Sequence, residues 1–332
     1  MADTTAEPTT TAPAVIPGPG DPAPGSARGA ESVNGPRRPA RTRLGRTGQV
    51  LGRAFATVWA NPKARVGLVL LGLFVLMAVF APLLAPYSPH DDSFGRNEPG
   101  SAAHWLGTTG AGEDVLSQVI YGARVSLLVG FVAGGLSTLV AVAIGLSWGY
   151  LRGWGNDVVN FLVNLFLVMP GLPLMIIIAA YLQNGGLPMI ILVVVITGWA
   201  WGARVLRSQT QSLRSRDFVT AAIFSGESSP RVIFREILPN MTSMIAGSFF
   251  GAATSAVLAE SGLSFLGLGD MATVSWGSMI FWAQNSMAIL TGQWILLFAP
   301  GLCIALLATS MTLVNFGVDG LSNPRLREGT GR

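Results

Sequence analysis

The chain has 332 residues, of which 50% are hydrophobic and only 11% charged, with a formal charge of +4. Soluble domains carry about 25% charged residues, so water is not the main solvent for this sequence. One cysteine (Cys303) excludes an intrachain disulfide, and two histidines (His90, His104) make a poor metal site. The single lysine, Lys63, follows a proline, which excludes a G-x-x-x-x-G-K-[ST] phosphate loop and ATP hydrolysis by that route.

Residues 1–48 are rich in Pro, Ala, Gly, Thr and Ser without apolar periodicity, which predicts a disordered tail. Its basic run, Arg37 to Arg46, is not followed directly by an apolar stretch. That argues against a secretion signal and for a patch lying against anionic lipid. Over residues 49–65, Leu51, Phe55, Val58 and Trp59 recur at helical spacing with Arg53 off that face, and Asn61-Pro62 ends the pattern. The reading is an interfacial helix in the headgroup region, or an extension of the first span.

A spanning helix needs about 20 mostly apolar residues. The stretches that qualify are Val66–Pro86, Val125–Tyr150, Val158–Leu182, Leu187–Ala203, Thr242–Leu263 and Trp294–Phe316. The expected fold is therefore all-α and integral to the membrane, with six transmembrane helices. Residues 66–121 hold the first span and an outer loop, 122–318 a transmembrane core that includes a loop at 212–240, and 319–332 a tail. Six spans put both termini on one side. Basic residues cluster before Arg65, at Arg152, between Arg204 and Arg235, and after Phe316, leaving only Arg96 and Arg124 on the other side. The positive-inside rule makes the first side cytoplasmic. The acidic residues Asp91, Asp92, Glu98, Glu113 and Asp114 then fall in an outer loop.

Within the second span Gly130 and Gly134 are four apart, as are Gly247 and Gly251 in the fifth, a spacing that lets helix backbones approach. Ser137, Thr138, Ser243, Ser248, Thr254 and Ser255 put hydroxyls into the same helices, either as packing glue or as the lining of a pathway. Pro170 and Pro173 in the third span predict a kink or local unwinding, which a membrane tolerates where protein or a cavity satisfies the freed carbonyls.

The stretch from Asp217 to Asn240 is charged and amphipathic among hydrophobic helices. Phe218, Ala221, Ala222 and Ser225 form a narrow face of small groups beside one ring. Gly226 stops this helix, and Ser229-Pro230 restarts one, with Ser229 as N-cap. The second helix carries Ile233 and Ile237 on one face, with Arg231 and Arg235 on another, before Leu238-Pro239 leads into the fifth span. The prediction is a rigid helix-turn-helix knuckle at the cytoplasmic surface.

At this point the sequence resembles a family. "TAAIFSGESSPRVIFREILPN" (Thr220–Asn240) is similar to the EAA loop of ABC-importer permeases: Ala221, Ala222, Gly226, Ile237, Leu238 and Pro239 fall on the pattern, while Thr220 and Glu236 depart from it. "HWLGTTGAGEDVLSQVIYGARVSLLVG" (His104–Gly130) resembles the opening of dipeptide/oligopeptide permease C-subunits, with departures at Thr109, Ala111 and Glu113. "LAESGLSFLGLGDMATVSWGSMI" (Leu258–Ile280) resembles a later segment of the same subunits. The resemblance covers about residues 62–325.

It implies a type I ABC-importer permease fold in a bacterial cytoplasmic membrane. The expected partners are a homologous second permease, two ABC ATPases and an extracytoplasmic solute-binding protein, with membrane lipid around them and no nucleic acid. ATP and Mg would be used by the ATPases, and this chain would bind no cofactor or metal and catalyse nothing itself. Thr220, Ala221, Ala222, Gly226, Ile233, Glu236, Ile237, Leu238 and Pro239 would couple to the ATPase. Ser137, Thr138, Pro170, Pro173, Ser248, Gly251, Thr254, Ser255 and Glu260 are candidates for pathway or packing. Asp91, Asp92, Glu113 and Asp270 are candidates for contact with the binding protein. The function so implied is peptide import. Nickel, oligosaccharide or another solute on the same fold remains open, because no residue discriminates among them. A secondary transporter is the lesser alternative: it would be expected to carry ionisable groups at mid-membrane, and the nearest candidate, Glu260, lies near the outer end of the fifth span, where water or a backbone donor could reach it. An enzyme would need a catalytic constellation, which the sequence does not offer.

Overall fold

The structure, a computed structural model, describes residues 52, 56–150, 153–182 and 186–322. The predicted tail of residues 1–48, the positions Leu51, Arg53 and Phe55, Arg152, and residues 323–332 lie outside the described residues. Among the described residues the secondary structure is helical throughout, apart from one isolated bridge between Thr108 and Asp114.

Helix α1 (Pro62–Val79) starts where the interfacial pattern was expected to stop. The Asn61 side chain accepts hydrogen bonds from the backbone N–H groups of Lys63 (3.0 Å) and Ala64 (3.4 Å), so Asn61-Pro62 is an N-cap and first position rather than a terminator. Residues 56–60 are helical, and the predicted lipid-facing Val58 is instead buried in the chain's own core beside Gly317. The first span then breaks at Phe80 into the short α2 (Ala81–Leu84).

Helix α3 (Val115–Tyr150) has 36 residues and is about 54 Å long, well beyond the roughly 30 Å hydrocarbon core. The excess lies at its N-terminal end, which is wrapped by the loop of residues 85–114. There Asp114 caps the helix, its Oδ2 accepting from Ser117 N–H (2.8 Å) and Oγ (2.7 Å), while Oδ1 meets the ring of His104 at 2.9 Å. This end carries the acidic loops and is called the acidic end below; the opposite one is the basic end.

The third predicted span is not one kinked helix. It is α4 (Trp154–Val168) and α5 (Gly171–Tyr181), joined through extended backbone at Met169 and Pro170 and bent by 94°. Each piece is shorter than the roughly 20 residues a span needs. Among the described residues there are thus five candidate spans and one broken pair. Helix α6 (Gly186–Arg214) continues eleven residues past the predicted end at Ala203. After it come α7 (Asp217–Phe224) and α8 (Ser229–Val232), then a π turn (Ile233–Ile237) and a 3₁₀ turn (Leu238–Met241). Helices α9 (Thr242–Phe265), α10 (Trp276–Asn285) and α11 (Ile295–Ser322) complete the bundle.

Small residues set how closely these helices pack. A Cβ on Gly134 would lie 2.6 Å from the Ala253 Cα, and one on Gly130 2.7 Å from Val257, so α3 and α9 touch through the predicted glycines. On α9 the prediction fails in part: Gly247 faces side chains of α11, and Gly251 has nothing within 4 Å. The tightest α3–α6 contacts come from Gly145 and Gly149, whose Cβ atoms would sit 2.8 Å from the Ala203 carbonyl and 2.6 Å from Thr210. Two buried anchors hold the acidic end. Trp276 Nε1 donates to the Val119 carbonyl (2.9 Å), with the ring laid on Gly122. Ser275 and Ser278 close a capping box at the start of α10.

Candidate functional site

The knuckle at the basic end is built from a helix whose exit is fully hydrogen-bonded. Gly226 has φ +81°, its N–H donates to the Ile223 carbonyl, and the N–H of Glu227 donates to the Ala222 carbonyl. These two bonds form a Schellman turn, which needs a left-handed residue at the glycine position. Helix α8 then starts from Ser228 in extended backbone, with Ser229 and Pro230 as its first two residues. The cap is therefore one residue earlier than the sequence reading placed it, and no side-chain cap bond is made.

Burial divides the knuckle into two faces. Val219, Val232 and Ile237 are fully buried, with Ala222, Ile233 and Leu238 partly so. All six pack on a core shared with Ala141 and Leu146 of α3, Leu206 of α6 and Met241. The outward face carries Thr220, Ala221, Gly226 and Pro239 together with Phe218, Phe224 and Phe234, the last two 86% and 65% exposed. Glu236 is half-buried, and its carbonyl accepts from Asn240 Nδ2 (2.7 Å). The basic ends of α3 and α6 are tied as well. Arg214 Nη1 donates to the Tyr150 carbonyl (2.6 Å), and the Arg207 guanidinium lies 3.9 Å from the centre of the buried Trp148 ring.

Above the knuckle, α3, α6, α9 and α11 enclose a groove of about 500 Å³, with Met175 of α5 on one side. It gathers five of the predicted positions: Ser137, Thr138, Ser248, Gly251 and Ser255. It does not include the other four. Pro170 and Pro173 are exposed at the break before and within α5. Thr254 Oγ1 donates back to the Phe250 carbonyl (2.8 Å) of its own helix. Glu260 was expected near water at the outer surface, but it is 1% exposed and ringed by hydroxyls. Its Oε1 accepts from Ser275 (2.7 Å) and Ser264 (3.0 Å), and its Oε2 from Ser261 (3.4 Å). Its place is a buried polar junction between α9 and α10, a packing role.

At the acidic end a second cavity, of about 590 Å³, is lined by Asp92 and Glu113 from the first loop and by Trp282 and Asn285 of α10. Gln118 Nε2 holds the Glu113 carboxylate (2.8 Å). Asp91 and Asp270 adjoin this rim in sequence but spend their oxygens locally. Asp91 accepts from Ser93 Oγ (2.7 Å), and Asp270 from Thr273 Oγ1 (2.7 Å). Among the described residues no group of three or more His, Cys, Asp or Glu side chains is placed to hold a metal ion.

Residues 141–328, which include the knuckle and most of the groove, match the family of binding-protein-dependent transport system inner membrane components. The chain belongs to that family. Residues 51–99 of this inner membrane component match the N-terminal transmembrane domain of oligopeptide transport permease C. It is 35% identical over 273 residues to the dipeptide transport system permease protein DppC of Bacillus subtilis, covering 80% of this chain and 83% of the relative. It is 34% identical over 265 residues to the oligopeptide transport system permease protein OppC of Mycobacterium bovis, covering 79% and 89%. It is also 34% identical over 281 residues to DppC of Alkalihalophilus pseudofirmus, covering 82% and 90%. Membership makes this a multi-pass transport subunit whose system includes ATPase and solute-binding partners.

Sequence reasoning missed several groove-lining positions in this inner membrane component. Asn315 and Asp319 line the groove, yet the last span had been ended at Phe316, which left Asp319 in a tail. The available signal was their i, i+4 spacing, which puts both on one helical face within an otherwise apolar stretch. Trp201 and Gly198 of α6 also line the groove, and an apolar run without charges gave no hint which face they would take.

Proposed function

We propose that this chain is one permease half of an ATP-driven importer for di- or oligopeptides. It would pair with a homologous permease, two ABC ATPases and an extracytoplasmic binding protein. In this reading both termini are cytoplasmic, the outward face of the knuckle docks on an ATPase, and ATP with Mg is used there and not by this chain. The groove is half of the translocation pathway, and the cavity lined by Asp92 and Glu113 faces the binding protein. The observation that carries the reading is the shared core: the buried side of the knuckle packs on α3 and α6, which also wall the groove. A displacement of the knuckle therefore reaches the groove wall without an intervening loop. The peptide cargo rests on what the relatives are named for transporting.

The test is ATP-driven uptake by the reconstituted complex, using labelled di- to pentapeptides with nickel and an oligosaccharide as competitors. Uptake of peptides that the other two do not reduce is the expected result. A complex that hydrolyses ATP and imports one of the competitors but no peptide would overturn the cargo assignment.

A further inference from the structure

The groove carries a single charge. Of the side chains that line it, Asp319 alone is ionisable, and no lysine, arginine or histidine faces it. Asp319 lies in the apolar stretch Ile295–Gly320, and among the described residues the one ion pair is His104–Asp114, at the other end of the bundle. Asp319 is exposed and stands one residue from the end of that stretch, so its carboxylate is open to whatever enters the groove.

Two acceptors in the same groove are buried and unpaired. Asn315, one turn before Asp319, has an Oδ1 shut off from solvent and without a donor. Ser137, on the α3 wall, is 3% exposed, and its Oγ also has no partner. Hydroxyls in helices usually bond back to a carbonyl three or four residues earlier, as Thr138, Thr210 and Ser310 do here. Ser137 does not; its Oγ is directed toward Gly198 of α6, 3.4 Å from where a Cβ would be. Buried polar atoms are paired in more than about nine cases of ten, so these two unpaired oxygens, in a groove that also holds the Asp319 carboxylate, call for a donor from outside the chain.

Asn315 and Asp319 frame one open cradle. Asn315 Oδ1 and Asp319 Oδ1 both converge on the bare Cα of Gly247, 2.9 and 3.1 Å from the position of a Cβ, so any side chain there would fill the cradle. Trp201, 68% exposed, adds an indole to the same groove, a surface that attracts cations. An ammonium group offers donors and no acceptor, the complement of a carboxylate, an amide oxygen and a hydroxyl.

We infer that Asp319 and Asn315, with Ser137 on the facing wall, form a cation-recognising subsite in the groove that takes the ammonium group of the passing cargo. This rests on the peptide-import reading for the cargo, and on the groove alone for the preference for positive charge.

The test measures that preference directly. The assembled complex is prepared in nanodiscs with Cys303→Ala, which removes this chain's one native thiol, and Ser248→Cys as a reporter in the groove wall. Labelling of this chain is followed with two methanethiosulfonate probes of similar size, one bearing a trimethylammonium group and one a sulfonate. Their rates are normalised to those on a free thiol. Any effect of Asp319 on the acidity of the thiol is common to both probes and cancels in the ratio. The expected ratio is about tenfold in favour of the cation, the order set by one charge acting with opposite sign on the two probes over about 6 Å at the dielectric of a water-filled groove, about 80. Asp319→Asn should bring the ratio close to one, and Asp319→Glu should restore it.

A ratio near one in the parent, or one that Asp319→Asn leaves unchanged, overturns the subsite. So does a reporter blocked to both probes in the assembled complex but open in the isolated subunit, because the partner permease would then fill the groove. Peptide uptake by the same parent complex separates the two readings. A parent that imports no peptide defeats the cargo assignment and leaves the labelling ratio standing as the test of the subsite.

Discussion

Replacing Gly226 with valine probes the knuckle without touching the bundle. The glycine has φ +81°, and a Cβ there would meet nothing within 4 Å, so the cost inside this chain is conformational and not steric. A residue with a Cβ held in the left-handed region costs about 1–2 kcal/mol, with a β-branched side chain at the upper end. The alternative is to unwind the turn, which gives up the Gly226–Ile223 and Glu227–Ala222 bonds at about 1 kcal/mol each. The two escapes cost about the same, so a turn favoured over its unwound form by about 2 kcal/mol in the parent becomes about evenly populated with it, a shift of roughly 30-fold in the equilibrium constant. The buried residues Val219 and Ile237 keep their contacts, and the spans should insert normally. On the proposed function, Gly226→Val should therefore retain expression and folding but lose about half of ATPase retention or coupled uptake through strain alone, and more if the added side chain also clashes with the docked partner. Gly226→Asn distinguishes the cause, because asparagine tolerates this region of φ while still adding a Cβ. Recovery in Gly226→Asn assigns the defect to backbone strain, and failure assigns it to a clash in the docked state. Wild-type ATPase retention and wild-type uptake in Gly226→Val would refute the coupling role of this turn.

Glu260→Gln keeps an oxygen for Ser275 and Ser264 and should lower uptake only modestly, whereas Glu260→Ala strands three hydroxyls and opens a void, costing about 2–4 kcal/mol in a detergent melt. Equal melting of the two variants would remove Glu260 as a polar junction. Gly134→Val should prevent α3 from meeting α9, because its Cβ would fall within 2.6 Å of Ala253, while Gly251→Ala, with open space around it, should leave expression and monodispersity intact. Trp276→Phe removes the donor to the buried Val119 carbonyl and should cost about 1–3 kcal/mol in the same melt. Ala221→Asp places a charge on the outward face of the knuckle and should weaken ATPase co-purification without altering the melt of the isolated chain.

The apolar segments and the knuckle were legible because their signals are local. A run of apolar residues needs no partner to be recognised as a span, and a glycine followed by Ser-Pro marks a turn by backbone preference alone. What escaped depends on three-dimensional partners. The prolines announced a disturbance in the third span, but a 94° break follows from how α5 packs beside α6, which periodicity does not encode. Gly251 and Gly134 look alike in sequence, yet one opens onto the groove and the other is pressed on Ala253. Asp319 fell in the predicted tail because the last apolar stretch was ended at Phe316; here the helix runs on to Ser322. The serines around Glu260 come from residues 261, 264 and 275, so only the return of the chain into α10 brings the third of them to the carboxylate.

The same contacts bear on how movement at the knuckle would travel. Gly145 and Gly149 bring the α3 backbone directly against Ala203, Leu206 and Thr210 of α6 with no side chain of α3 between them, and Arg214 ties their ends through the Tyr150 carbonyl. Such a joint has no rotamer to absorb a displacement, so α3 and α6 should shift together. At the acidic end α3 is fixed by different means: the Trp276 bond to Val119, the packing of Trp276 on Gly122, and the Asp114 cap. An element held at one end and pushed at the other pivots, and its largest excursion is near the push. The walls of the groove lie between these two points, and Gly251, which no other side chain contacts, forms part of them. The broken third span, meeting α6 through Met175 and its neighbours, can follow or lag because the Met169-Pro170 link is extended backbone and transmits no helical rigidity. Alternating access in this chain would then require no refolding of any span, only a tilt of one α3–α6 pair about its acidic end.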